Sequence, residues 1–420
     1  MPRADSFNIV DPLYGELKLT GIVARLSVVP EVQRLREVSM SNIDSLSFPS
    51  IGKISRYEHV LGVAHLASIT AESLGLSPLE KNTLLAAAIL HDVATPAFGH
   101  LFEELLKLKF GFDHETRLFQ LLGGTGEHLN GYQPIFAGRM MECRSVFESS
   151  NYLLDYRSVC DLIRGEGRLG KLLHGPIDLD NIDNVYRIAY HMGFAIDRNA
   201  PIRLAKAFRL EETGTVALDT AYWGHVNDWQ NTRIDLYQKL MFAPEDLCLK
   251  AMLTLAMEIG LAGDPPCEPA LTVDDWSLTD WELIQRLLSY TPTVEIIRRL
   301  RLADLYPILG RYLIKGESAI SLLKDAGLIQ QIKNNCTTLL KKNVILYTIP
   351  ERRYRDPQSM VVPNILNYNY LETLLGESHP DLRSVLVAIF WTAGKVTRDI
   401  DDRILSVLKP FFPDKDIERV

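Results

Sequence analysis

The sequence predicts a mainly α-helical protein with a short β element near its N-terminus and a smaller mixed α/β region at its C-terminus. Two observations support this fold class. Apolar residues recur at helical spacing, first in LGVAHLASITAESLG at 61–75 and then in SPLEKNTLLAAAIL at 77–90. Strand-like stretches are few and short, and they lie in GELKLTG at 15–21 and in KNVILYTIP at 342–350.

The same apolar periodicity predicts helices within residues 232–260, 276–300, 302–314 and 317–333. Helical periodicity ends near residue 335, where the second strand-like stretch follows. We therefore expect a large helical core over residues 1–335 and a mixed region over 336–420 that is a candidate oligomer interface. GDPPCEPALTVDD, at 263–275, has the composition of a loop-like insertion into the core.

Composition narrows the class of protein. The chain has 420 residues, 47% of them hydrophobic and 23% charged, as in ordinary globular proteins. No apolar run approaches the roughly 20 residues that span a bilayer, and the first residues lack the apolar core of a signal peptide. We expect a cytoplasmic protein without membrane contact. The net charge of -8 argues against binding of extended nucleic acid.

An ionisable pair stands at the end of the most apolar run of the chain. His91 and Asp92 directly follow LLAAAIL, the last seven residues of the predicted helix. Burial of a charge is costly unless the charge is paired or bound to a metal. We therefore expect partners for this pair in other segments that carry histidine and carboxylate side chains.

Three further segments supply such side chains. They contain Glu58 and His59 in SRYEHVLGVAHLA, His114 and Glu115 in FDHETRLFQLL, and three aspartates in GPIDLDNIDNVYRIAYHMG, namely Asp178, Asp180 and Asp183. Imidazole and carboxylate groups suit divalent metals. A histidine on an apolar helix, such as His65, is more often a packed core residue, and each aspartate could cap a helix. Residue types alone leave a metal site and purely structural roles equally open.

Taken together and in order, several segments carry a specific resemblance. They are IVDPLYGELKLTG with VVPEVQRLREV, FPSIGKISRYEHVLGVAHLA, LHDVATPAFGHLFE and DLDNIDNVYRIAYHMG, which fall within roughly residues 8–260. In these segments the chain resembles the HD-domain phosphohydrolases, and among them the deoxynucleoside triphosphate (dNTP) triphosphohydrolases. The resemblance implies a helical HD-domain core and a metal-dependent reaction.

The resemblance also implies roles for individual residues. The metal ligands would be His59, His91, Asp92 and Asp180, binding a divalent cation such as Mn, Mg, Fe, Zn, Co or Ni. His114 and Glu103 would carry out the acid–base step, with His100 as a further catalytic residue that contacts phosphate. Arg56 would bind phosphate oxygens, and Arg233, in NTRIDLYQKLMF, would reach the distal phosphate.

The chain departs from the family pattern mainly on the substrate side. Thr95 replaces a frequent histidine, and Asn181 replaces a common lysine after the metal-binding aspartate. Other positions where the family has substrate-contacting side chains are occupied by Asn184, Ile188, Met40 and Met241. Because specificity depends on polar groups that match the substrate, the expected metal chemistry is better supported than any particular substrate.

The leading hypothesis is an enzyme that hydrolyses a dNTP to deoxynucleoside and inorganic triphosphate. The alternatives are a phosphodiesterase or nuclease acting on another nucleotide, and a catalytically reduced subunit that senses nucleotides. The resemblance implies a nucleotide substrate, a regulatory nucleotide and a homo-oligomer. Asp11 and Arg34 lie in segments that resemble regions used for regulation, although we expect a surface or packing role for each.

Overall fold

The computed structural model describes most of the chain. The described residues are 6–123, 142–149, 152, 154–175, 177–212, 214–263, 268–341, 343–350, 365–367, 384–391 and 399–420. Within them the protein is mainly helical, as predicted. No helix in this part of the chain is both long enough and apolar enough to cross a membrane.

The chain begins with the predicted β element, a hairpin of strands β1 (Ser6–Asp11) and β2 (Gly15–Thr20). The strands are antiparallel, and Ile9 lies opposite Leu17. The Asp11 carboxylate closes the turn by accepting hydrogen bonds from the backbone amides of residues 13 and 14. This Asp-based turn leaves the second carboxylate oxygen available for a long-range contact.

Helices build the core that follows the hairpin. They are α1 (Gly21–Leu26), α2 (Pro30–Arg34), α3 (Arg56–Ser73), α4 (Pro78–Leu90), α5 (His100–Phe110), α6 (His114–Gly123), α7 (Glu142–Phe147), α8 (Tyr156–Ile163), α9 (Leu179–His191), α10 (Ala200–Ala207), α11 (Trp223–Phe242), α12 (Pro244–Ala262), α13 (Asp280–Leu288) and α14 (Thr291–Arg301). The short strands β3 (Phe208–Leu210) and β4 (Val216–Asp219) lie between α10 and α11. Helix α3 packs against α4, α9 and α10 and is therefore central.

Local sequence explains where these helices begin. Ser77 forms a capping box with Glu80, and Pro78 occupies the first turn of α4. The predicted helical segment 232–260 is divided into α11 and α12, because Pro244 starts a new helix. Segment 276–300 is likewise divided, and Pro292 lies in the first turn of α14. Helix formation was correctly predicted in both segments, but the breaks were not.

The C-terminal part is mixed α/β, as predicted. Its strands are β5 (Ile308–Lys315), β6 (Val344–Pro350), β8 (Ser384–Trp391) and β9 (Ile417–Arg419), and its helices are α15 (Gly316–Lys324), α16 (Ala326–Leu340) and α17 (Ile400–Leu408). These strands form an antiparallel sheet in the order β6-β8-β5-β9. Strand β7 (Ile365–Asn367) pairs instead with β4. Helix α12 of the core packs against β6, so the sheet adjoins the helical part.

The predicted helix over residues 302–314 is wrong, because much of this segment is strand β5. Its apolar residues are buried on both faces of the sheet: Tyr312 and Ile314 enter one apolar cluster, and Leu313 enters the other. A short run that is buried on both faces has no distinctive periodicity. The division at residues 335 and 336 stays a prediction, and the second apolar cluster includes residues on both sides of it, from Leu309 to Phe412.

Helices α3 and α9 approach each other closely at Gly62. A Cβ atom at this position would lie 2.1 Å from Asp183 Oδ1 and 2.2 Å from Arg187 Nη2, both of which belong to buried side chains of α9. The glycine therefore makes room for a buried ion pair between the two helices. This pair also contacts the candidate site described below.

We expect Gly62→Ala to lower the free energy of unfolding by about 2 kcal/mol or more, because overpacking outweighs the gain in helix propensity. Gly224→Ala is the matched control, since a Cβ at this helical position meets no atom within 4 Å. It should leave stability unchanged or raise it slightly. Chemical denaturation of both variants measures the difference, and equal stabilities would contradict the proposed packing constraint.

Candidate metal centre

His91 stands at the C-terminal end of α4 with one ring nitrogen fixed and the other without a partner. Its Nδ1–H donates a hydrogen bond of 2.9 Å to the carbonyl oxygen of Ala88. Its Nε2 atom is buried and has no hydrogen-bond partner among the residues that the structure describes. A buried polar atom normally has a partner, so the lone pair of Nε2 indicates a missing ligand.

His59 of α3 and Asp180 of α9 face this nitrogen. His59 Nε2 lies 2.9 Å from Asp180 Oδ1, and His91 Nε2 lies 3.9 Å from the same oxygen. Together these three residues offer ligand atoms that all lie within 4.8 Å of one another. Ligand atoms about 2.1 Å from one ion are separated by roughly 3 to 4 Å. The donor types and the spacing therefore fit a divalent cation.

Asp183 fixes the orientation of the His59 ring. Its Oδ2 accepts a hydrogen bond of 2.7 Å from His59 Nδ1, which leaves Nε2 directed at Asp180. The same carboxylate accepts from the Tyr14 hydroxyl at 2.8 Å and from two nitrogens of Arg187 at 2.9 Å. A carboxylate that accepts a hydrogen bond from the non-ligating nitrogen of a metal-binding histidine fixes the orientation of the ring. It also raises the basicity of the histidine as a ligand. Sequence reasoning had left Asp183 as a helix-cap candidate.

Arg187 connects the Asp183 carboxylate to the N-terminal hairpin. Its Nη1 atom donates to Asp11 at 2.9 Å and to Glu58 at 2.7 Å, and its side chain is fully buried. Asp11 therefore has the packing role that the sequence favoured. Burial alone would raise the pKa of Asp183, but Arg187 and His59 outweigh it and keep this pKa below its usual range.

The carboxylates favour positive charge at the site. Burial alone would lower the pKa of His59, but its hydrogen bonds to Asp180 and Asp183 raise this pKa to about 9. The site is therefore electrostatically suited to a cation, because both carboxylates gain from a nearby positive charge.

The three aspartates of DLDNID have three different roles. Asp178 is the N-cap of α9 and accepts from the backbone amide of Asn181 at 2.7 Å. Asp180 faces the histidines, and Asp183, one turn later on the same side, supports His59. The sequence indicated that all three lie near the site. Their different roles follow only from the packing of α9 against α3.

Asp92 lies beside the three-residue cluster. Its Oδ2 atom accepts a hydrogen bond of 2.6 Å from Arg56 and lies 3.8 Å from His91 Nε2. Its Oδ1 atom accepts from the Thr95 hydroxyl at 2.8 Å, so the residue that replaces the family histidine orients this carboxylate. The role of Asp92 as a metal ligand stays a prediction.

A second group of ionisable side chains surrounds Glu103. His100 Nδ1 donates to Glu103 Oε2 at 2.8 Å, and His114 Nδ1 donates to Oε1 of the same carboxylate. Burial alone would lower the pKa of His114, but its hydrogen bond to Glu103 and the charge of this carboxylate raise it. The three residues that the resemblance suggested for acid–base chemistry therefore lie together.

Both groups open into one cavity of about 540 Å³, a volume typical of ligand sites. All candidate residues except Glu103, which lies behind His114, line it: Arg56, His59, His91, Asp92, His100, His114, Asp180 and Arg233. Arg233 is 7% exposed, and its Nη1 atom is buried without a hydrogen-bond partner among the described residues. Its guanidinium carbon lies 4.7 Å from the ring centroid of Tyr237. A buried guanidinium with unused donors is suited to an anionic ligand.

Most departures from the family pattern face this cavity. Its lining includes Met40, Asn181, Asn184, Ile188 and Met241, which come from three separate parts of the sequence. The substituted positions therefore converge on the region where a substrate would bind. Apolar side chains such as methionine adapt to varied shapes but offer few hydrogen bonds.

Two residues position the loop after His91: Arg34, for which the sequence favoured a surface or packing role, and Asp280, which the sequence did not single out. Arg34 donates hydrogen bonds to the carbonyl oxygens of Val93 at 3.0 Å and Thr95 at 2.5 Å, and it is fully buried. The Asp280 carboxylate accepts from the backbone amides of Phe98 at 2.7 Å and Ser39 at 2.8 Å. These contacts join residues far apart in sequence, so no local pattern indicates them.

Comparison with protein families matches residues 56–131 to the HD domain. This part of the chain is therefore similar to an HD domain. It is 24% identical over 353 residues to the human deoxynucleoside triphosphate triphosphohydrolase SAMHD1, a match that covers 73% of this chain and 56% of the human protein. It is 22% identical over 201 residues to the SAMHD1 homolog of Dictyostelium discoideum, covering 46% of this chain and 37% of that protein.

The uncharacterized protein YwfO of Bacillus subtilis is 24% identical over 229 residues, covering 53% of this chain and 48% of that protein. The crystal structure of a hypothetical protein from Aquifex aeolicus has a TM-score of 0.65 at 22% identity, covering 96% of this chain and 100% of that one, and shows the shared fold. The predicted resemblance to HD-domain phosphohydrolases of the dNTP triphosphohydrolase branch is confirmed. The chain spans 56% or less of the length of each of these three relatives.

We expect His91→Ala and Asp180→Asn to abolish stoichiometric binding of a divalent metal, because each removes a ligand from a three-residue cluster. Asp183→Asn should weaken metal binding about 10- to 100-fold, because it removes the support of His59. Metal content after dialysis against Mn²⁺ measures these effects. His65→Gln is the control and should retain the metal; a metal content unchanged in His91→Ala would contradict the site.

Proposed function

We propose that the protein is a metal-dependent phosphohydrolase that converts a dNTP to a deoxynucleoside and inorganic triphosphate. One observation carries the proposal: the His59–His91–Asp180 cluster shares a single cavity with the buried guanidinium groups of Arg56 and Arg233. A site for a cation next to donors for phosphate oxygens suits hydrolysis of a phosphate ester. The names of the human and Dictyostelium relatives support a dNTP as the substrate.

The chain's own residues bind and orient the substrate. Arg56, already fixed by Asp92, directs its remaining donors towards phosphate oxygens, and Arg233 binds a phosphate group further from the cluster. His59, His91 and Asp180 would hold a divalent cation, which would supply a Lewis acid and lower the pKa of water at the site. We keep Asp92 as a further proposed ligand of that cation.

The acid–base step falls to the group around Glu103. Water attacks the α-phosphorus, the bond between this phosphorus and the 5′ oxygen breaks, and the 5′ oxygen receives a proton from His114. Glu103 orients His114 and stabilises its protonated form, while His100 contacts phosphate oxygens. Proton transfer by a positioned side chain typically increases the reaction rate about 10²–10⁴-fold.

The proposal is tested by incubating the protein with Mn²⁺ or Mg²⁺ and each canonical dNTP and NTP, singly and in mixtures. We expect deoxynucleoside and triphosphate as products, and none from Asp180→Asn. Release of diphosphate or cleavage of a diester would support the phosphodiesterase alternative. Metal and nucleotide binding without any product would support a sensing subunit instead. Product formed only from mixtures would indicate a regulatory nucleotide, which stays a prediction together with the homo-oligomer and the cytoplasmic location.

We expect the pH dependence of kcat to report the state of His114. As an acid it acts only when protonated, so activity should persist below its raised pKa and decline as the pH rises through this value. Glu103→Gln removes the negative charge that raises this pKa and leaves only a neutral hydrogen-bond acceptor, while burial, which lowers the pKa, remains. The declining limb of the profile should therefore move to lower pH.

The exposed Glu72 forms an ion pair on the surface, and Glu72→Gln serves as the control. Its pH profile should match that of the unmodified protein. A declining limb that stays in place in Glu103→Gln, or that moves to higher pH, would contradict the assignment of His114 as the acid.

A further inference from the structure

Two loops meet at the Arg56 side chain, and each contains a residue with a positive φ. The first loop, residues 39–42, ends at Asn42 with a φ of 63°, and the second loop, residues 92–99, ends at Gly99 with a φ of 54°. Asparagine and glycine tolerate this backbone region better than most residues. Asn42 also lines the cavity, beside Arg56 and Asp92.

Asp280 of α13 joins the two loops. Its Oδ2 atom accepts a hydrogen bond of 2.8 Å from the backbone amide of Ser39 in the first loop, and its Oδ1 atom accepts one of 2.7 Å from Phe98 in the second loop. Because one carboxylate binds both amides, it fixes the separation of the loops. The approach of Asn42 to Gly99 is therefore set by the fold.

Asn42 contacts the guanidinium group of Arg56. Its Oδ1 atom accepts a hydrogen bond of 3.3 Å from Arg56 Nη2, whereas Arg56 Nη1 donates to Asp92 at 2.6 Å. A guanidinium has only donors, so it is the amide oxygen of Asn42 that faces it. A Cβ atom at Gly99 would lie 2.2 Å from Asn42 Oδ1 and 2.4 Å from Arg56 Nη2. Glycine at this position therefore leaves the space that the contact needs.

These contacts hold Arg56 at both of its terminal nitrogens. The Asp92 contact alone would leave the plane of the guanidinium free to rotate, and the second contact defines that plane. The buried Nε atom of Arg56 has no hydrogen-bond partner among the described residues, so donors remain for a ligand. Because arginine recognises phosphate through the fixed directions of its planar fork, the orientation of this group affects how tightly a phosphate binds.

We propose that Asn42 is a positioning residue that fixes the plane of the Arg56 guanidinium for an incoming phosphate group. Asn42 acts through Arg56 and makes no contact of its own with the phosphate. Gly99 provides the space for this contact, and Asp280 holds the two loops at the required separation. The inference rests on the proposed function in one respect, since it takes Arg56 as a phosphate ligand.

The test is a double-mutant cycle in which binding of inorganic tripolyphosphate to the full chain is measured by calorimetry. Asn42→Gly removes the acceptor and still permits the positive φ. We expect it to weaken binding about fivefold, as for loss of one hydrogen bond that orients a charged group. Arg56→Lys keeps the positive charge but cannot contact Asn42 and Asp92 together. In this background Asn42→Gly should weaken binding less than about 1.5-fold.

Lys341→Gly is the matched control. Lys341 also has a positive φ, of 54°, but lies at the C-terminal end of α16 and outside the cavity lining. Its replacement should leave tripolyphosphate binding unchanged. The Mn²⁺ content of Asn42→Gly should equal that of the unmodified protein, because Asp92 keeps its contacts with Arg56 and Thr95. A general structural defect would instead lower metal content and tripolyphosphate binding together.

Three results would overturn the positioning role: no tripolyphosphate binding by the unmodified chain, unchanged binding in Asn42→Gly, or an equal loss from Asn42→Gly whether residue 56 is arginine or lysine. The positioning role and the proposed function fail separately. Hydrolysis of a dNTP together with unchanged tripolyphosphate binding in Asn42→Gly would refute the positioning role alone. The expected cycle without hydrolysis of any nucleotide would refute the function and leave the positioning role in place.

Discussion

The buried carboxylate of Asp183 is the interaction on which the centre of this protein depends. It accepts hydrogen bonds from His59, Tyr14 and Arg187, which belong to α3, the turn after β1 and α9. An unpaired buried charge costs several kcal/mol, so these elements cannot separate without a large loss of stability. Gly62 permits the close approach that this network requires. The same contacts that hold the fold together therefore fix the ring of His59.

The two halves of the cavity are built differently. On the metal side, three side chains are held by further residues: His59 by Asp183, His91 by the Ala88 carbonyl, and Asp92 by Arg56 and Thr95. On the substrate side, Met40, Ile188 and Met241 offer apolar surface and no strong hydrogen bonds. The candidate metal side is thus held by specific contacts, whereas much of the opposite wall of the cavity is apolar.

Much of this arrangement could be predicted from the sequence. The capping of α4 at Ser77, the N-terminal hairpin and the grouping of His59, His91 and Asp180 follow from local patterns and from the order of the motifs. Strand β5 was mistaken for a helix, because burial on both faces leaves no distinctive period. The contacts of Arg34 and Asp280 with the loop after His91 join distant segments, so only the folded chain reveals them.

The function proposed for this protein depends on one cation bound by His59, His91 and Asp180. Anomalous scattering from crystals grown with Mn²⁺ tests this directly. The account predicts a single strong peak inside the cavity, roughly 2.2 Å from His59 Nε2, His91 Nε2 and an oxygen of Asp180. A cavity without a peak, with His91 Nε2 hydrogen-bonded to another protein group, would contradict it.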